Sequence, residues 1–198
     1  MCLSKTLAKP RVNALTIGSA RLVFASIILT LIFTPPAHAQ VDEYAVKGAF
    51  LYKFGLFVQW PDSAFSSPTS PVYLCIAGED PFGKSLDNMV AGQHINGRDV
   101  VIRRLKKVDK NPPCHILYAG GSADQSQDEI LETVHGSNVL TVSDDRTPGQ
   151  NGAIINFVVA DKHVRFDIDD EAAAQNGVVI SSQLLKLALN VKRRSKEE

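Results

Sequence analysis

Apolar residues crowd the stretch KGAFLYKFGLFVQWP, residues 47–61, more densely than a one-faced helix requires. Val46, Phe50, Phe54 and Phe57, joined by Ala49, form one stripe at helical spacing. Leu51 and Val58 lie on a second side, and Gly48, Gly55 and Tyr52 share a third. Lys47, Lys53 and Gln59 supply the polarity, and they do not gather on one face. The pattern predicts a helix, DEYAVKGAFLYKFGLFVQW, that runs up to Pro61. A helix apolar all round is usually buried. Two readings stay open. The helix docks wholly into its own core, or one side packs on a sheet while another meets a second chain through Leu51, Tyr52 and Trp60. The two glycines would let that chain approach closely, at a propensity cost of up to ~1 kcal/mol each.

Downstream the period alternates. VYLCIAG, CHILYAG and NVLTVSD are apolar runs of strand length. Between them DPFGKSLDNMVAG reads as a short helix, with Asp80 as its N-cap and Pro81 at its first helical position. INGRDVVIRRLKK holds an Asn-Gly turn and then a strand, and SADQSQDEILETVHG a helix with Ile130, Leu131 and Val134 inward. GAIINFVVADKHVRFDID reads as a hairpin turning at Ala160-Asp161-Lys162. EAAAQNG and SSQLLKLALNVKRR read as two last helices, the second with an apolar face of Leu184, Leu187, Ala188 and Val191. The expected fold is α/β: a mainly parallel sheet, helices on both faces, and a C-terminal antiparallel hairpin added to it.

The N-terminal residues change where this domain is placed. Lys5, Lys9, Arg11 and Arg21 precede any acid, LVFASIILTLIF follows, and Ala37-x-Ala39 offers a cleavage site. This is the pattern of a secretory signal peptide over residues 1–39. Twelve apolar residues fall short of the ~20 that a membrane span requires. Cleavage after Ala39 would leave one exported domain, residues 40–198. The whole chain has 21 basic and 21 acidic residues; four of the basic ones lie in the leader, so 17 face 21 acids downstream. That balance does not suit nucleic acid. Cys75 and Cys114 remain as an even pair. In an exported chain a disulfide is favoured, the other reading being two buried thiols.

Several motifs suggest chemistry and fail on closer reading. GEDPFGKS, residues 78–85, matches a P-loop letter for letter, but Glu79 and Asp80 put carboxylates where a triphosphate would sit. A receiver-like acceptor aspartate is missing, since the second strand exits at Ala119-Gly120-Gly121. GGSADQ is not a nucleophile elbow. His94, His115, His135 and His163 are each isolated, so no helical metal pair forms. Acids gather at strand exits, at Glu79, Asp80, Asp144 and Asp145, where capping explains them equally well. Neither catalytic residue, metal nor cofactor is assigned. In the basic run GRDVVIRRLKK, Arg103 and Arg104 point to opposite faces of a strand. One of them, with Arg165 from another strand, could line a pocket for an anionic small molecule; the competing reading is solvated edge-strand charge.

Together KGAFLYKFGLFVQWP, LCIAGEDPFGKSLD, INGRDVVIRRL, CHILYAG, VLTVSD and VRFDIDDEAAAQNGVVISSQLLKLA resemble the YfiR family of periplasmic regulators. The resemblance implies a repressor and not an enzyme. Such proteins restrain an inner-membrane diguanylate cyclase by binding its periplasmic domain, and an OmpA-like outer-membrane lipoprotein can draw them away, raising cyclic di-GMP. It also implies a homodimer and a Cys75–Cys114 disulfide. A second cysteine pair present in some relatives has no counterpart in GQNGAIINF. The alternative function is a periplasmic small-molecule sensor using Arg103, Arg104 and Arg165.

Overall fold

The computed structural model describes residues 38–144 and 152–194. The leader up to residue 37, Asp145 and the last four residues lie outside the described residues.

Helix α1, His38–Phe54, passes into a 3-10 turn, Gly55–Phe57, and then into strand β1, Val58–Gln59. The expected helix therefore ends some residues before Pro61. Gly55 is a poor helix former, and its backbone lies so close to the Ile95 side chain that an added Cβ would sit 2.5 Å from Ile95 Cδ1. Beyond it Val58 pairs antiparallel with Ile180 of β9, Val179–Ile180, and the backbone N–H of Ser181 donates to Phe57. A long-range partner thus takes over from the helical ladder.

The main sheet has eight strands in the order β10-β8-β7-β6-β5-β2-β4-β3. Its centre is parallel: β4 (Arg98–Leu105), β2 (Val72–Gly78), β5 (Ile116–Gly121), β6 (Leu140–Ser143) and β7 (Ile155–Ala160). β8, His163–Asp169, returns antiparallel on β7 through Asp161-Lys162, both at positive φ, the backbone of a tight two-residue hairpin turn. The short β3, His94–Ile95, pairs antiparallel with β4. The sheet continues one strand past the hairpin, because β10, Val191–Lys192, pairs parallel with β8.

Side chains alternate between two cores. Leu74, Ile76, Ile116, Tyr118 and Phe157 face α1, α2 (Gly83–Val90), α4 (Asp170–Gln175) and α5 (Ser182–Leu187). Cys75, Ala77, Leu117 and Ala119 face α3, Gln127–Thr133, through Ile130, Leu131 and Val134. Burial on both sides explains why β2, β5 and β6 read as near-continuous apolar runs. Asp80 and Pro81 lie before α2 instead of at its cap and first position: the N-cap is Phe82, the helix starts at Gly83, and the Asp80 carboxylate accepts from the Phe82 and Gly83 amides in the turn leading into it.

Two expectations are corrected here. Leu51, expected as a partner contact, is 0% exposed within the core. Gly48 faces Leu86 and Phe82 of the chain itself, both at 3.5 Å, so the glycines admit the molecule's own α2, β3 and β5. The last helix stops at Leu187, which is 59% exposed. Of its expected apolar face only Leu184 is fully buried. The Asp167 carboxylate accepts from both the backbone and the side-chain N–H of Asn190, drawing the chain out of the helix and into β10.

Cys75 and Cys114 form a disulfide with Cα atoms 5.9 Å apart. It ties β2 to the helix-free crossover that enters β5. It closes a loop with a sequence separation of 39, for which loop entropy predicts roughly 3–4 kcal/mol. A Cys75→Ala/Cys114→Ala double variant is expected to lose stability of that size in denaturant melts, while the oxidised wild type is unaffected by non-reducing buffer changes.

Candidate interaction site

The greasy face of α1 is organised around one buried cation. Lys47 is 4% exposed, and its ammonium lies 2.7 Å from Glu43 Oε1 and 2.9 Å from Asp144 Oδ2. The other Asp144 oxygen accepts the Tyr118 hydroxyl at 2.7 Å, and the Tyr44 ring lies 4.7 Å beneath the ammonium. Burial opposes ionisation of Asp144, but the Lys47 and Tyr118 hydrogen bonds outweigh it and hold its pKa below the usual value. Burial raises the Tyr118 hydroxyl far above its ordinary range, with the adjacent carboxylate adding to the effect. The strand-exit acid Asp144 is thus the docking point of α1. At the neighbouring exit Gly78 lies against the Gly121 backbone so closely that no Cβ fits.

The expected anion contacts do not come together. Arg104 donates to Asp80 Oδ2 at 2.6 Å, to both oxygens of Asp87 at 3.0 and 2.7 Å, and to Gly83 O at 2.9 Å. Its guanidinium is spent fastening the first turn of α2 to β4. The Asp87 and Asp80 hydrogen bonds raise its pKa, and Arg104 in turn lowers both carboxylates. Arg103 stacks 3.5 Å above the Tyr73 ring. Arg165 is exposed on β8, opposite Val158 and separated from β4 by β7, β6, β5 and β2.

The expected partner contacts divide. Leu51 is core, as described above. Tyr52 is half-buried, its hydroxyl reaching Gln93 Oε1 at 3.2 Å and His94 O at 3.3 Å. Trp60 is half-buried and donates its indole N–H to His115 O at 3.1 Å. Beside Tyr52, one turn on, Leu56 is 43% exposed. Its position in the apolar stretch gave no sign that it would face outward, because the helix ends just before it.

A third cluster went unread in the sequence. His115 stacks on Phe65 with centroids 4.4 Å apart, lies against Tyr73 at 6.0 Å, and meets Trp60 edge-on at 6.0 Å. Arg98 covers Phe65 at 3.8 Å, as Arg103 covers Tyr73. One signal was present: a Cys75–Cys114 bridge places the residues near each cysteine, Tyr73 on β2 and His115 just before β5, side by side.

The geometry defines a doubly wound α/β domain with the central order β4-β2-β5-β6-β7 and aromatic rings left partly outside. The pattern of the family described as YfiR/HmsC-like matches residues 44–189. The chain belongs to that family.

Proposed function

We propose that the protein is a periplasmic regulator that restrains an inner-membrane diguanylate cyclase by binding its periplasmic domain, without catalysing a reaction. Family membership over residues 44–189 carries this reading. The expected leader supports export, and among the described residues no helix is long and apolar enough to cross a membrane. Repression is then a population shift. The regulator binds the inactive cyclase better than the active one, and about 5.5 kcal/mol of differential affinity moves a 1:99 mixture to 99:1. A homodimer and release by an OmpA-like outer-membrane lipoprotein belong to the same proposal.

Tyr52 and the neighbouring exposed Leu56 supply the contact, with Tyr52 as its anchor, since aromatic residues are enriched among those that dominate interface energy. Leu56→Asp and Tyr52→Glu are expected to fold with near-wild-type melts and to weaken partner binding or self-association at least tenfold. Sedimentation and cellular cyclic di-GMP read the effect; unchanged values in both variants remove these residues from the interface. The decisive experiment is in-cell crosslinking of the exported protein. Capture of a membrane protein with a cytoplasmic GGDEF domain is expected. Absence of any such protein, together with unaltered cyclic di-GMP on deletion of the gene, overturns the proposal.

A further inference from the structure

The connector between β1 and β2, residues 61–71, contributes one 3-10 turn, Asp62–Ala64, and little other regular structure. His115 and Arg98 anchor it over long range. His115 Nε2 lies 3.1 Å from Ala64 O, and the imidazole face carries Phe65. Arg98 Nη1 donates to Ser67 O at 3.0 Å and to Ser70 O at 2.7 Å. Trp60, at the start of the connector, donates to the backbone carbonyl of His115.

The partners settle the state of the ring. Nδ1 is 3.1 Å from the Tyr73 backbone N–H, which can only donate, so Nδ1 accepts. Nε2 faces a carbonyl, which can only accept, so Nε2 carries the proton. His115 is therefore a neutral Nε2–H imidazole. A second proton would set N–H against N–H at Tyr73. It would also place a third positive charge among Arg98 and Arg103, the two charged groups that act on the ring, both from β4. Asp62 on the connector and Asp109 and Lys110 on the crossover before Cys114 are exposed to solvent.

We propose that His115 is a proton-operated latch, whose protonation in mild acid releases residues 61–71 from the sheet and uncovers the rings of Trp60, Phe65 and Tyr73. The sign follows from linkage. Burial, aided by Arg98 and Arg103, holds the docked ring below its ordinary pKa of 6.5 against the raising effect of the Ala64 hydrogen bond. The released ring titrates near 6.5. Between the two values the released state binds one more proton, so the docking constant falls about tenfold per pH unit as pH drops. Above about 6.5 both states are neutral and the latch is closed. A compartment open to external pH would make this device a sensor, independently of which partner the protein serves.

Trp60 is the single tryptophan, so its fluorescence reports the connector directly. The test uses the disulfide-intact protein between pH 7.5 and 4.5, with far-ultraviolet circular dichroism to confirm that the fold persists. Trp60 emission is expected to shift to the red with a midpoint below 6.5, and amide exchange over residues 61–71, corrected for intrinsic rate, to accelerate at least tenfold. Arg103→Gln is expected to raise the docked ring's pKa by weakening the repulsion, and so to move the release midpoint downward and shrink its amplitude. His115→Gln is expected to abolish the pH dependence. A nuclear magnetic resonance titration of His115 in the wild type keeps the test decisive should that variant unfold. No spectral or exchange change in the wild type, a transition that survives His115→Gln, or a His115 ring that titrates without disturbing the 61–71 amides would each overturn the latch.

Discussion

Replacing Phe54 by alanine is expected to remove about 4 kcal/mol of stability, the cost typical of emptying a buried phenylalanine site. Phe54 is 1% exposed. Its ring centroid lies 5.0 Å from Phe166 in a T-shaped pair, 5.7 Å from Phe157 and 5.9 Å from Phe50. Phe50 itself lies 5.7 Å from Phe166. The cluster joins α1 to the β7–β8 hairpin, two segments about a hundred residues apart. Urea melts should show the loss as a lowered midpoint at unchanged slope. A variant that melts within about 1 kcal/mol of wild type would show that the cluster collapses onto the cavity, a relaxation that rigid interiors seldom achieve.

Lys47→Met is the second large effect, expected to cost about 3 kcal/mol, because removing one partner of a buried pair strands the other charge. Asp144 keeps the Tyr118 hydroxyl but loses its cation. The methionine stem preserves much of the lysine's apolar packing, so the loss reports charge more than volume. Pairing Lys47→Met with Asp144→Asn should recover part of the deficit, since the buried Asp144 charge is then gone and only the more exposed Glu43 carboxylate has lost its cation. The pH dependence supplies an independent check. In the wild type the folded Asp144 pKa is depressed, so its contribution is fully present above about 3.9 and is lost as pH falls through the folded value. In Lys47→Met burial acts unopposed by the cation and raises that pKa. The deficit should therefore be full above the raised value and shrink as pH falls through it and on toward the depressed wild-type value. A deficit independent of pH, with no recovery in the double variant, would assign the effect to packing.

Both predictions concern a helix whose neighbours its own residues do not reveal. Periodicity identified α3, the β7–β8 hairpin and the buried strands, because each depends on residues a few positions apart. Asp161-Lys162 is a turn by local backbone chemistry, and Ser126 caps α3 through a reciprocal box with Glu129. The even pair Cys75 and Cys114 was readable from composition and expected compartment. The family resemblance was readable too, since it rests on ordered motifs across the domain.

Long-range contact decided the rest. The apolar pattern of α1 showed several greasy sides but could not rank them, so Leu51 passed for surface although α1 buries it completely. Lys47 looked like a stray polar residue because its second partner lies 97 positions away. His115 looked isolated for the same reason, its ring partners Phe65 and Tyr73 being 50 and 42 positions distant. The ends of α1 and of the last helix were misplaced where β9 and Asp167 offered the backbone better hydrogen bonds than another helical turn. Local sequence thus determined which residues alternate and where the chain turns. Tertiary structure alone decided which face meets which, because burial and buried charge take their value from neighbours that only the folded chain brings within a few ångströms.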